Sequence, residues 1–170
     1  MAPDIRYRAA TARDATVVAE LIAAGFATYR DFAPDGWQPR TPIQEEPGIY
    51  ERLNHGDVHA RVALADSQIA GFTGWMPASR GKPRRRIPGR AHLWSLFIAP
   101  AWWGTGLAAD LLHWSVTGMR DSGYDTAQLW TPTSHARARA FYEREGWTSS
   151  NLVQFSPELA LDVVLYETAL

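Results

Sequence analysis

The sequence contains no cysteine. This excludes disulfides, thiolate metal sites and a cysteine nucleophile. It also lacks a charge imbalance. Seventeen basic against eighteen acidic side chains leave a formal net charge of −1, so no global field recruits nucleic acid or a membrane surface. No run reaches the roughly 18 apolar residues that a membrane helix needs. The N-terminal stretch MAPDIRYRAAT has no apolar core of a signal peptide. These absences lead us to expect a soluble, cytoplasmic protein with no metal, and with neither nucleic acid nor membrane among its partners.

What is present suits a globular fold. Of 170 residues, 46% are apolar, enough for one domain over residues 1–170 with a sizeable core. The eight Trp residues are a high number, and some are expected to line a groove rather than fill the core.

The chain is organised around Leu96 to Leu112, LFIAPAWWGTGLAADLL. An apolar run suited to a buried strand ends at a Pro, a loop with two glycines follows, and a helical apolar pattern begins. The first turn of a helix carries unpaired N–H groups and the positive end of the peptide dipole, where an anion binds. Gly104 and Gly106 remove the Cβ atoms that would hold a diphosphate away from those N–H groups. The same spacing also suits a strand-to-helix turn that needs glycine only for its shape.

Taken in order, Ile5 to Ala9 alternates like a strand. Thr11 and Asp14 form a capping-box-like start to a helix whose apolar period includes Val18, Leu21, Ile22 and Phe26. Residues 27–41 are aromatic, Pro-rich and irregular, as in a loop that packs over a core or covers a pocket. Pro42 opens a second helix to Asn54, with Ile49, Tyr50 and Leu53 facing inward. Val58–Ala65 and Ile69–Met76 read as a hairpin through Asp66-Ser67-Gln68.

Ser79 to Arg90 carries Arg80, Lys82, Arg84, Arg85, Arg86 and Arg90 without an acid. We read it as a solvated, mobile loop; the alternative is a patch that meets a ligand phosphate or an acidic acceptor. His92–Ile98 is a fourth strand. A helix over 104–122 has its stripe at Leu107, Ala108, Leu111, Leu112, Val116 and Met119, and Gly123 ends it. Thr126–Trp130 is a fifth strand, Ser134 caps a helix stopped by Gly146, and two strands near 148–155 and 161–167 close the chain. The fold class is α/β with a mixed (α+β) sheet, in the order β-α-α-β-β-β-α-β-α-β-β.

Three stretches, on this element order, carry a resemblance to a known family. IAPAWWGTGLA looks like the acetyl-CoA diphosphate loop of the GNAT superfamily of N-acetyltransferases. HARARAFYEREGW resembles the signature of that family's last helix, and LDVVLYETAL its last strand. The match covers nearly the whole chain from Ile5. It implies a single GNAT domain, an acyltransferase activity with acetyl-CoA as cosubstrate, and an acceptor that is a small-molecule or peptide amine. Many members pair through their last strands, so a homodimer also comes into view.

The resemblance further implies site residues. Main-chain groups of Leu96, Phe97 and Ile98 fall where the family pairs with the pantetheine arm, much as a peptide adds to a sheet edge. The diphosphate-gripping N–H groups fall on Gly104, Thr105, Gly106, Leu107, Ala108 and Ala109. Trp103 replaces the family's Gln or Arg at the start of that loop. His135 replaces an Asn, and its imidazole still has a donor or acceptor for the pantetheine amides. Tyr142 matches the family's catalytic tyrosine, a phenol protonated at pH 7 that protonates the departing thiolate. His92 stands where many members carry a general-base Glu; a neutral imidazole is able to accept a proton directly or through water. Ser95 and Trp130, at other positions where the family places carboxylates, have no such capacity.

The acceptor is expected between the first two helices and the last hairpin, against Tyr29, Phe32, Trp37 and residues 149–157. There Asp31 and Asp35 are candidates to meet a cationic amine. A competing function is a non-catalytic acyl-CoA-binding or sensor module on the same fold, which the residues at 92, 103 and 135 keep open. A nucleic-acid binder using residues 80–90 fits less well, because aromatics are not interleaved with that basic run.

Overall fold

A computed structural model describes residues 4–170 of the chain; the first three residues of the N-terminal stretch considered above lie outside it. Seven strands are present among the described residues: β1 (Ile5–Ala9), β2 (His59–Ala65), β3 (Gln68–Arg80), β4 (Arg85–Ile98), β5 (Thr126–Pro132), β6 (Thr148–Ser156) and β7 (Leu161–Ala169). Four helices accompany them: α1 (Ala15–Ala27), α2 (Pro42–Leu53), α3 (Leu107–Asp121) and α4 (Ala136–Arg144). The order is the expected one. The strands form one mixed sheet, β1-β2-β3-β4-β5-β7-β6, in which β4 and β5 run parallel and all other neighbours antiparallel.

Local chemistry sets the element ends. The Asp14 carboxylate accepts the Thr11 N–H at 2.8 Å and both Arg8 guanidinium nitrogens at 2.8 Å, fixing the entry to α1. At α2 the Gln44 side chain accepts the Thr41 N–H and the Thr41 hydroxyl accepts the Gln44 N–H, with Pro42 opening the helix. Asp66 and Ser67 both adopt positive φ (47° and 70°), which gives the two-residue turn whose twist matches a β2–β3 hairpin.

Helices α1 and α2 cover one face of the sheet through Val18, Ala19, Ile22 and Ile49 on Val62 and Phe72. On the other face, Leu107 and Leu111 of α3 pack on Ala63, Ala65 and Ala70. Further along, Leu112 and Met119 meet Trp75, Leu93, Leu129, Trp147, Val164 and Tyr166, and Phe141 and Tyr142 of α4 pack against the same cluster. No helix among the described residues is long and apolar enough to cross a membrane.

The structure corrects four expectations. Residues 79–90 are not one loop. Residues 79–80 and 85–90 are the arms of the β3–β4 hairpin, paired Ser79↔Arg86 and Arg80↔Arg85, and only 81–84 form the turn between them. Arginine-rich arms satisfy their backbone by pairing without burying an apolar face, so they show no apolar alternation. Tyr50 faces outward at 54% exposure, because Ile49 holds the centre of the inward stripe. Helix α3 starts at Leu107 rather than 104, since Gly104 (φ 77°) and Gly106 (φ 90°) are left-handed. His135, not Ser134, immediately precedes α4.

Two glycines place aromatic rings for the site. A Cβ at Gly25 of α1 would lie 2.3 Å from the Phe97 ring, and one at Gly74 of β3 would lie 2.6 Å from the Trp94 ring. Gly25→Ala should therefore lower the melting temperature, although alanine is the better helix former by about 1 kcal/mol. A thermal melt in which Gly25→Ala equals or exceeds wild type would contradict this packing.

Candidate active site

The site begins with a strand pair that comes apart. β4 and β5 pair through only three residues, Arg90↔Thr126, Ala91↔Ala127 and His92↔Gln128. Beyond them, 93–98 pairs with β3 alone and 129–132 with β7 alone. The cause lies in β4. Ser95 faces Gly74 and Leu93 faces Trp75, so Trp94 is an extra residue with no partner on β3. Such a bulge bends its strand. The wedge that opens is part of a cavity of about 1170 Å³.

At one end of the cavity lies the glycine loop. The first intrahelical bond of α3 runs from the Asp110 N–H to the Gly106 carbonyl at 3.1 Å. The N–H groups of residues 104–109 therefore precede the helical ladder. A Cβ at Gly104 or Gly106 would meet nothing within 4 Å, so the space before these amides is open. Thr105 turns its hydroxyl away, to the Trp102 carbonyl at 2.7 Å. This is a cradle of main-chain donors at the positive pole of a 15-residue helix. It fits a diphosphate.

Leu96, Phe97 and Ile98 border the wedge. The Ala99 N–H bonds the Ala70 carbonyl at 2.8 Å. By strand alternation the main-chain groups of Phe97 also face β3, and those of Leu96 and Ile98 face the wedge. The Ile98 carbonyl is already engaged, accepting the Trp103 indole N–H at 2.9 Å. The Arg137 guanidinium of α4 stacks over the same indole at 3.7 Å. Trp103 thus links the glycine loop, the end of β4 and the start of α4.

Tyr142 lines the cavity, with its ring packed edge-on to Phe141 and Trp147. Burial raises its phenol above the ordinary value, so it keeps its proton throughout the physiological range. His92 also lines the cavity, and its Nδ1 is buried without a hydrogen-bond partner. Burial chiefly pushes this imidazole down to about 4, and the nearby Arg52 and Arg84 act in the same direction. It is neutral at pH 7. His135 sits under Tyr29 and Phe32, with ring centroids 5.0 and 4.9 Å away, and is likewise held down to about 4 by burial and by Arg137.

Of the aromatic residues expected against the acceptor after α1, Tyr29 lines the cavity and Phe32 and Trp37 do not. Tyr29 is buried among Phe26, Phe32, Trp37 and His135. The Trp37 indole N–H reaches the Leu159 carbonyl on the β6–β7 connection at 2.7 Å. Asp31 and Asp35 are exposed and do not line the cavity. Arg52, Arg80, Lys82, Arg84, Gln128 and Glu158 do, and the sequence pattern had not singled out Arg52 or Gln128 as site residues. Arg52 is three residues beyond Ile49, on the same inward stripe, which is the signal that would have found it. No group of three or more His, Asp or Glu side chains among the described residues is arranged to hold a metal.

A family model described as the acetyltransferase (GNAT) family matches residues 22–147. No curated protein matches the sequence significantly. Among solved structures, the chain is similar to a GNAT-family protein from Desulfovibrio desulfuricans, with a TM-score of 0.74, 22% identity, and coverage of 98% of this chain and 99% of that one. It is similar to an N-acetyltransferase from Staphylococcus aureus, with a TM-score of 0.74, 16% identity and 98% coverage of both. It is also similar to the PaiA N-acetyltransferase from Thermoplasma acidophilum, solved in complex with coenzyme A. There the TM-score is 0.66, the identity 17%, and 98% of this chain and 99% of that one are covered.

The two depressed imidazoles make stability depend on pH. Between about 4 and the unperturbed value near 6.5, the unfolded chain binds protons at His92 and His135 that the folded chain refuses. Stability therefore falls as pH drops through that interval. The melting temperature should decline from pH 7.5 to pH 5, and replacing both with Gln should flatten the decline. A wild-type melting temperature that is level over this range would show that the imidazoles are not shielded from water.

Proposed function

The chain belongs to the acetyltransferase (GNAT) family, and we propose that it moves an acetyl group from acetyl-CoA to the primary amine of an acceptor, by direct attack while both are bound. The observation that carries this is the continuity of one cavity from the 104–109 amides, along the parted edge of β4, to the Tyr142 phenol and His92. Bound acetyl-CoA supplies a thioester, whose carbonyl carbon is open to attack by an amine. The N–H groups of residues 104–109 hold its diphosphate. The main chain of Leu96 and Ile98 aligns its arm along β4, with His135 at the opposite wall.

The protein's own groups then manage charge and protons. A main-chain N–H of Leu96 or Ile98 is placed to donate to oxygen as negative charge builds on the acetyl carbonyl. The amine forms its new N–C bond as the C–S bond breaks. The Tyr142 O–H donates to the sulfur leaving group, and solvent at the cavity mouth restores the phenol proton. His92, neutral at pH 7 and lining the cavity, accepts a hydrogen bond through its imidazole from the amine or from a water beside it and passes the proton toward solvent. With so low an affinity for protons it relays rather than stores.

Two kinetic outcomes follow from these roles. Tyr142→Phe should lower kcat by roughly 10²-fold while the calorimetric affinity for acetyl-CoA stays within about twofold. Undiminished kcat would remove the phenol from the mechanism, and acetyl-CoA binding without thiol release from wild type across a broad amine panel would point to a sensor. In wild type, kcat/KM should show no inflection near 6.5. An inflection there that vanishes in His92→Gln would mean that His92 is an ordinary solvated base.

A further inference from the structure

Resting on that acetyl-transfer reading, we propose that the acceptor amine also carries an anionic group, a carboxylate or a phosphate. The Arg52 guanidinium holds that group above the Trp94 ring, at the end of the cavity remote from the diphosphate cradle. Helix α2 turns three side chains toward the cavity. Glu45, Ile49 and Arg52 form one stripe of this helix and all line the cavity. Glu45 is taken by the Arg40 Nε at 2.5 Å, and Arg40 is further tied to the Gln44 carbonyl. Arg52 enters no ion pair among the described residues. Its guanidinium carbon lies 4.9 Å from the centroid of the Trp94 ring.

That platform is rigid. The Trp94 ring lies where a side chain at Gly74 would be and meets Phe72 edge-on at 5.5 Å. It is the bulge residue of β4, so the distortion that opens the wedge also turns this ring toward α2. A guanidinium stacked on an indole face keeps its in-plane N–H donors free, a fork that matches the two oxygens of a carboxylate or a phosphate. Burial lowers the guanidinium from its ordinary value, with Arg84 adding to the effect. It remains a cation at physiological pH, partly removed from water and without a counter-ion in contact.

Further cationic side chains gather at this end. Arg80, Lys82 and Arg84 of the β3–β4 hairpin line this end of the cavity and enter no ion pair among the described residues, whereas Arg86 and Arg90 are occupied by Asp57 and Glu167. Three carboxylates also act on Arg52: Glu158 on the β6–β7 connection, Glu51 beside it on α2, and Glu45, which Arg40 holds; none is within ion-pair distance of Arg52 among the described residues. A purely cationic acceptor would be repelled here.

Coenzyme phosphates do not explain the arrangement. Trp94 precedes Ile98 by four strand residues, roughly 13 Å along β4, and the cradle lies beyond Ile98. The site therefore has two separate positions for anions, and Tyr142 and His92 line the same cavity.

Transfer from acetyl-CoA is measured by thiol release with three acceptor pools: free α-amino acids, aminoalkyl phosphates, and matched amines lacking the acidic group. Acetyl-CoA affinity is measured in parallel by calorimetry. One of the two anionic pools should exceed the matched amines by at least roughly tenfold in kcat/KM, and the better pool identifies carboxylate or phosphate. Arg52→Gln should raise KM for the preferred acceptor roughly 10- to 100-fold and leave acetyl-CoA affinity unchanged. Arg52→Lys, which keeps the charge and loses the fork, should recover part of the loss. Preference for the uncharged or cationic amines would overturn the proposal, as would an unchanged KM in Arg52→Gln, weakened acetyl-CoA binding in that variant, or no transfer to any pool by a protein that binds acetyl-CoA. Failure of wild type to bind acetyl-CoA would instead remove the acetyl-transfer reading itself, and this proposal with it.

Discussion

Everything in the site depends on where β4 and β5 let go of each other. Three residue pairs hold the two halves of the sheet together, and after His92↔Gln128 the strands separate. A parallel pair buried on both faces would ordinarily continue, because unpaired backbone groups in an interior are costly. Here the extra residue at Trp94 bends β4 away, and the edge that is left open faces a cavity rather than packed side chains. Its unpaired groups are then available to a ligand arm that adds to the sheet as a strand would.

The same distortion assigns different chemistry to the two ends of the cavity. Past Ile98 the chain turns through two left-handed glycines and enters α3 with six amides ahead of the first helical bond. At this end main-chain donors face the cavity, with the Arg137 guanidinium stacked on Trp103 beside them. Before Trp94 the attraction comes from side chains, with Arg52 on α2 and the basic hairpin arms. Between the ends the walls are largely apolar: Phe26, Tyr29, Leu96, Phe97 and Phe141 exclude water from the space that Tyr142 and His92 share. The opposite shifts of those two groups have that common cause. Burial keeps the phenol protonated and the imidazole neutral.

Much of this was legible in the residues. Gly123 and Gly146 mark helix ends from position alone, and both take positive φ. Helical period located α1 and α3, and the Thr11–Asp14 pairing and Pro42 located two helix starts, because such signals are local chemistry. The hairpin arms at 79–90 were not legible: their order comes from cross-strand pairing, which composition does not report. Tyr50 was misplaced for a related reason. Neighbouring positions on a short helix differ in facing by about 100°, and Ile49 alone decides which side is inward. Arg52 and Trp94 were passed over because each acts through a partner distant in sequence, a glycine on β3 for the indole and the indole for the guanidinium.

The central claim is that the amides of residues 104–109 grip a diphosphate and so set the thioester against Tyr142, along the edge that β4 exposes where it leaves β5. A crystal structure of the protein with coenzyme A tests it most directly. The account predicts diphosphate oxygens within hydrogen-bond distance of those main-chain nitrogens, the pantetheine arm beside Leu96 and Ile98, and the sulfur in contact with the Tyr142 hydroxyl. Coenzyme bound elsewhere, or bound in the cradle with its sulfur turned away from Tyr142, would contradict it.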